Sequence, residues 1–258
     1  MYGLCAPVGS CGSKIIVPLS RHIYSSSAIE AHRRVLPPNC NRFLTTVLTA
    51  TDKLACLALK WTEIVADAGS LTEILFEQAI QQANELDEHL KEHGRLVGPL
   101  HGICMTLKDQ FDVQGLDSTL GYVGRAFKPA MQDCVLVSLL KQLGAIVIAK
   151  SNLPQSIMVS YRHRIPLPPV LSLMHRSHVI AQWCETENPL WGLTVHPNNT
   201  DFTPGGSTGG EGTLLSLQGT VIGWGTDIGG SIRIPAHMNG VYGLKPSVSY
   251  AVSSNMFF

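Results

Sequence analysis

Hydrophobic positions between residues 70 and 93 recur at helical spacing and predict an amphipathic helix. Ser70 followed by Glu73 is typical of a capping box, in which each side chain accepts a hydrogen bond from the other residue's backbone N–H. Gly94 supplies the left-handed residue that ends many helices. The predicted buried stripe consists of Leu71, Leu75, Ala79, Ala83, Leu86 and Leu90.

Two short apolar runs are predicted to be buried strands, at 103–107 and 146–149. A helix capped by Asp133 and closed by Gly144 is predicted between them, with Val135, Leu136, Leu139, Leu140 and Leu143 on it. Alternating strands and helices favour an α/β architecture with a largely covered sheet. Lys108 ends the first run, either as a solvated residue or as an ammonium in a cleft, and the stretch alone favours solvation.

Composition excludes several classes of function. The formal net charge is zero, which gives no sign of a nucleic-acid or acidic-membrane partner. The sequence has seven cysteines, and no two of them have the C-x-x-C spacing. They therefore indicate neither a zinc site nor a disulfide framework, and we expect a reducing compartment. His89 and His93 lie four residues apart, but without a third ligand they favour a solvated helix end. We expect no metal, no cofactor and no membrane span.

Residues 1–70 are left unassigned. Five Lys or Arg residues and only one acidic residue, Glu30, precede residue 51, which is typical of an organelle transit peptide. A disordered or mispredicted leader is the favoured interpretation. We therefore expect a cytoplasmic protein, with a mitochondrial location as the alternative.

Half of the 24 glycines fall between Gly205 and Gly243, in two clusters with hydroxyl side chains at 205–212 and 225–233. Backbone N–H groups can converge after Gly229-Gly230, as they do in an oxyanion hole. The first cluster matches a nucleophile elbow, but Pro204 precedes it where a strand is needed. The second has the spacing of a phosphate loop, yet Gly230 replaces the required lysine.

These motifs, with Gly243-Leu-Lys-Pro-Ser247, resemble the signature of the amidase signature family. The resemblance extends upstream through 98–113 and 151–155 and covers 71–158 and 183–247. It is greatest toward the acetamidase-like and fatty-acid-amide-hydrolase-like branches. It implies an α/β fold with a mixed β-sheet covered by helices, incomplete here, and hydrolysis of a carboxylic amide to a carboxylate and ammonia or an amine.

The resemblance also implies a Ser–Ser–Lys triad. Ser231 would be the nucleophile, Ser207 the proton relay and Lys108 the base. An oxyanion hole would be formed by the backbone N–H groups of Ile228, Gly229, Gly230 and Ser231. A backbone carbonyl at Ile157 would line the substrate site, together with Ser207.

A lysine acts as a base only when neutral, and we expect burial and a nearby cation, with Arg233 as candidate, to lower the pKa of Lys108. Asp227 and Arg233 are expected to hold the loop.

Two segments depart from the family pattern. Residues 159–182 form an insertion without a single acidic residue, and the pattern ends again after Ser247. Both foreign segments begin Val-Ser-Tyr, and Val-Ser can be encoded by the consensus start of an intron. Our hypothesis is that 159–182 and 248–258 are translated introns, with a genuine surface insertion as the alternative for the first. Residues 71–258 would then be the N-terminal part of an amidase domain, and sequencing the spliced transcript tests this.

Three functions remain open from the sequence. The first is an amidase acting on a small-molecule amide through an acyl-enzyme. The second, from another class, is an inactive truncated fragment or a non-catalytic interaction module. The third and least favoured is a glutamine-amidotransferase subunit with companion subunits. The sequence does not decide whether the protein forms a homodimer.

Overall fold

The computed structural model describes residues 49–64, 68–157 and 185–247. Residues 1–48, 65–67, 158–184 and 248–258 lie outside these ranges, and with them the predictions made for 159–182 and 248–258. Of the unassigned residues 1–70, those at 50–64 form a helix. The helices and strands, in chain order, are α1 (Ala50–Ile64), β1 (Leu71–Ile74), α2 (Phe76–His93), β2 (Cys104–Lys108), α3 (Val135–Gln142), β3 (Ile146–Ser151), β4 (Glu187–Asn188), β5 (Gly192–Leu193), α4 (Gly209–Ser216), β6 (Ile222–Trp224) and α5 (Arg233–Met238). Short 3₁₀ turns lie at Val123–Arg125 and Gln155–Ile157.

The two apolar runs form the centre of a mixed four-stranded sheet. Its strand order is β1-β3-β2-β6, with β2 parallel to both β3 and β6, and with β1 antiparallel to β3 at one edge. Every residue of β2 and β3 is buried, as expected for strands covered on both faces. The prediction of a mixed sheet covered by helices is confirmed.

Successive side chains along a strand point to opposite faces of the sheet, and they contribute to two hydrophobic clusters, one on each face. On one face Cys104, Ile146 and Ile148 pack with residues of α1, α2 and α4. On the other face Met105, Leu107 and Val147 pack with α3 and with the loop that follows β2. Side chains at 104, 106 and 108 therefore share the face that carries α4.

The predicted helix over 70–93 is wrong in its first turn. Residues Leu71–Ile74 form the edge strand β1, and the helix begins at Phe76 with no side-chain cap. The Ser70 hydroxyl is buried without a hydrogen-bond partner among the described residues, so no capping box forms. The helix end is as predicted, because Gly94 has φ +64° and its N–H donates to the Leu90 carbonyl at 2.9 Å.

The predicted cap of α3 is also wrong. The N-cap position is Cys134, without a side-chain cap. The Asp133 carboxylate instead accepts hydrogen bonds from the Gln114 N–H at 2.8 Å and from Lys141 Nζ at 2.7 Å. Asp133 thus ties α3 to the loop after β2 instead of starting the helix.

Candidate active site

Lys108 is fully buried at the end of β2. Its Nζ donates a hydrogen bond to Ser207 Oγ at 2.7 Å, across 99 residues of sequence. The expectation of a solvated strand end is therefore wrong. The alternation of the strand directs Lys108 to the face covered by α4, and Ser207 lies two residues before that helix begins.

Burial lowers the pKa of Lys108 to about 7, while Asp227 and Glu211 act in the opposite direction. About half of an amine with this pKa is neutral at pH 7 and able to accept a proton. The expected contribution of Arg233 to the lowered pKa of Lys108 is not found. Its guanidinium is exposed and paired with Asp227, so the removal of water is what depresses the lysine pKa.

The two glycine-rich clusters meet beside this lysine. The Thr208 N–H donates to the Ser231 carbonyl oxygen at 3.1 Å, which places Ser231 next to the Ser207 segment. Close approach requires a glycine at 225, because a Cβ there would lie 2.4 Å from Thr208 Cγ2. Among the hydrogen bonds of the described residues, none joins the Ser231 hydroxyl to Ser207 or Lys108.

Asp227 holds the loop that carries Ser231. Its carboxylate accepts from the Gly230 N–H at 2.7 Å and the Ile232 N–H at 3.2 Å, and it forms two bonds with the Arg233 guanidinium at 2.9 and 3.0 Å. The guanidinium holds the pKa of this carboxyl well below its usual range. The geometry supports the expectation that Asp227 and Arg233 hold the loop.

Gly230 departs from the predicted oxyanion hole, because its N–H donates to Asp227. Within the described residues, the N–H groups of Ile228, Gly229 and Ser231 donate to no other protein group. Three of the four predicted donors therefore have no hydrogen-bond acceptor within the described residues.

Ile157 ends the 3₁₀ turn before the gap in the described residues. Its φ is +63°, and its N–H donates to the Pro154 carbonyl at 2.8 Å. No hydrogen bond of the described chain joins it to Lys108, Ser207 or Ser231. Its contribution to a substrate site stays a prediction.

Three further polar residues around Lys108 were missed from the sequence. Thr226 Oγ1 accepts from Lys108 Nζ at 3.3 Å and donates to Gln110 Oε1 at 2.7 Å. Glu211 is buried on α4, and its Oε2 accepts from the Thr106 hydroxyl. The sequence contained one signal for this group of polar residues. Thr106 and Lys108 lie two residues apart in a predicted strand, so their side chains must share one face of it.

Burial raises the pKa of the Glu211 carboxyl to about 7, although Thr106, Ser151 and Lys108 favour its charged form. Its Oε1 has no hydrogen-bond partner in the described part of the chain. A second proton-binding group therefore lies on the same face of the sheet as Lys108.

No helix in the described ranges has both the length and the apolar character to cross a membrane. Residues 49–64, 68–157 and 185–247 likewise contain no cluster of three or more His, Cys, Asp or Glu side chains that could hold a metal ion. His89 and His93 stack on each other, with ring centroids 4.3 Å apart.

Comparison of the sequence with known proteins finds related amidases. The profile of the family described as Amidase matches residues 57–255. "Amidase 1" of Gibberella moniliformis is 59% identical over 177 residues, which are 69% of this chain and 29% of that protein. The "Acetamidase" of Emericella nidulans is 41% identical, over 71% of this chain and 30% of its own length.

Solved structures give the same result for the fold. The structure titled "Fatty acid amide hydrolase" superposes with a TM-score of 0.64 at 28% identity, covering 81% of this chain and 35% of that one. The chain thus spans about a third of the length of these relatives. Because the family profile covers most of the sequence, the chain belongs to the amidase family.

Proposed function

We propose that this chain carries the catalytic centre of a carboxylic amide hydrolase that works through an acyl-enzyme on Ser231. The observation that carries the proposal is the buried hydrogen bond between Lys108 and Ser207, made by a lysine whose pKa is lowered to about 7. Membership of the amidase family supports the reaction class. The name of the Emericella relative supports a small carboxylic amide as substrate.

In the first step, the Ser231 hydroxyl attacks the amide carbonyl carbon. Its proton passes to Ser207, and the Ser207 proton passes to the neutral Lys108 amine. The carbonyl oxygen becomes negative and accepts hydrogen bonds from the N–H groups of Ile228, Gly229 and Ser231. Each donor of this kind typically contributes a factor of ~10²–10³ to the rate.

In the second step, the C–N bond breaks and the leaving nitrogen takes the proton back from Lys108 through Ser207. Ammonia or an amine leaves, and Ser231 keeps the acyl group as an ester. A water molecule then attacks the ester by the same proton route, which releases the carboxylate and restores both serines. The route consumes no oxidant or reductant.

A fluorophosphonate probe tests the proposal, because it phosphonylates an activated serine and needs no known substrate. We expect the folded chain to be labelled and Ser231→Ala to lose labelling by at least about 10³-fold, as nucleophile removal does in other serine hydrolases. Mass spectrometry of the peptide around residue 231 identifies the modified residue.

Ser138→Ala is the matched control, because Ser138 lies on α3 away from the glycine-rich clusters. We expect the control to label at the wild-type rate. Labelling of Ser231→Ala at that rate would show that another nucleophile reacts. A folded wild-type chain that does not label would instead favour the non-catalytic interaction module.

Asp227→Ala is expected to slow labelling by about 10²-fold without abolishing it. The substitution removes the acceptor of the Gly230 and Ile232 N–H groups, so the loop no longer fixes Ser231 and its neighbouring donors. Labelling rate at saturating probe is the measurement. Asp201→Ala, in an exposed turn, is the control, and equal rates for both variants contradict the positioning role.

A further inference from the structure

Lys108 makes a second hydrogen bond that the proton route does not use. Its Nζ donates to Thr226 Oγ1 at 3.3 Å, and the Thr226 hydroxyl donates to Gln110 Oε1 at 2.7 Å. Gln110 follows Lys108 by two residues, immediately beyond the end of β2. The three side chains form a short chain of hydrogen bonds that ends at the amine.

The direction of this chain follows from the number of protons. A threonine hydroxyl has a single proton, and Gln110 accepts it, so only lone pairs of Thr226 face Lys108. A neutral amine has two N–H groups and one lone pair. When one N–H is given to Thr226, the lone pair stays available to the Ser207 hydroxyl. The 2.7 Å contact in which the ammonium donates to Ser207 Oγ is then reversed, and the Ser207 hydroxyl donates to the neutral amine.

Without Gln110 the Thr226 hydroxyl is free to rotate. It can then donate its proton to the lysine lone pair, and the amine can no longer accept a proton from Ser207. The competing bond also stabilises the neutral amine, whereas the native arrangement places an acceptor against the ammonium.

We propose that Gln110 is a positioning residue, which acts through Thr226 to hold the lone pair of Lys108 toward Ser207. This inference rests on the proposed function. The charged groups that face Lys108 are Glu211 on α4 and Asp227 in the loop before α5, and both are acidic. Gln110 is neutral, so it determines the orientation of the amine without adding charge.

Two substitutions at Gln110 are expected to move the Lys108 titration in opposite directions. Gln110→Met keeps the length of the side chain and removes the acceptor, so the pKa of Lys108 falls and the plateau rate of probe labelling drops about 10-fold. Gln110→Glu keeps an acceptor for Thr226 and adds a negative charge, so we expect the pKa to rise by about one unit. The measurements are the pH profile of labelling and the ¹³C titration of lysine labelled at Cε.

A double-mutant cycle separates positioning from general damage to the fold. Thr226→Val removes the group through which Gln110 acts, so adding Gln110→Met to it should cause no further loss of rate. A purely structural role for Gln110 predicts the same 10-fold loss in both backgrounds and overturns the proposal. Gln114→Met, at an exposed position in the following loop, is the control and should behave as wild type.

The lysine titration distinguishes failure of this inference from failure of the proposed function. If the folded wild-type chain does not label, the proposed function fails, and the opposite shifts of the Lys108 titration still support the role of Gln110. If Gln110→Met and Gln110→Glu leave the titration unchanged, the positioning role is overturned even where labelling is normal.

Discussion

Lys108→Met is expected to slow probe labelling of Ser231 by at least about 10³-fold and to make the folded chain more stable at neutral pH. The rate falls because a thioether cannot take the proton of Ser207 at any pH used. In the unmodified chain, labelling should rise with pH through a pKa of about 7, because only the neutral amine is a base. The pH profile of labelling is the first measurement.

The gain in stability follows from the same pKa. A lysine in the unfolded chain has a pKa near 10.5, whereas burial lowers that of Lys108 to about 7. The unfolded chain therefore holds the proton more tightly, and the resulting cost to folding is full below pH 7 and disappears as the pH rises to 10.5. Because methionine removes this cost but also the attraction to Glu211 and Asp227, we expect a net gain of about 1–3 kcal/mol at pH 7.

Urea unfolding at several pH values measures this gain. The difference in unfolding free energy between Lys108→Met and wild type should shrink as the pH rises from 7 toward 10.5. Lys128→Met, at an exposed lysine, should change neither the rate nor the stability. A destabilised Lys108→Met variant, or a gain that is independent of pH, contradicts the burial of an ionisable amine at this position.

The two central strands of the sheet could be predicted from the sequence, because β2 and β3 contain apolar runs that burial explains. The edge strands β1 and β6 were not predicted. Leu71–Ile74 follows the spacing of the helix behind it, and Ser70 with Glu73 imitates a capping box. Pairing with β3 decides the conformation of this segment, and such a tertiary contact leaves no periodicity of its own.

The candidate site could be located but not assembled from the sequence. The glycine clusters indicated close backbone approach, and the family resemblance singled out Lys108, Ser207 and Ser231. The local sequence around Lys108 indicated solvation, because nothing near it shows that α4 covers that face of the sheet. The contacts with Ser207 and Thr226 span 99 and 118 residues, so they follow only from the topology.

Gly210→Ala is expected to destabilise the folded chain by about 1–3 kcal/mol or more and to slow labelling of Ser231. A Cβ at this position would lie 2.5 Å from the Asn152 nitrogen, 2.6 Å from its carbonyl oxygen and 2.8 Å from the Ser70 carbonyl oxygen. All three are backbone atoms, held in place by the Asn152 N–H bond to Ser70 at 2.8 Å. Helix α4 must therefore move away from the sheet, and Ser207 moves with its first turn. Urea unfolding and labelling rate measure the two effects.

Gly124→Ala is the matched control, because a Cβ there meets no atom within 4 Å and the residue has no positive φ. We expect its unfolding free energy to stay within about 0.5 kcal/mol of wild type. If Gly210→Ala behaved like Gly124→Ala, α4 could not lie against the end of β3. The hydrogen bond between Lys108 and Ser207 depends on that packing, so the same result would remove the geometric basis of the proposed proton route.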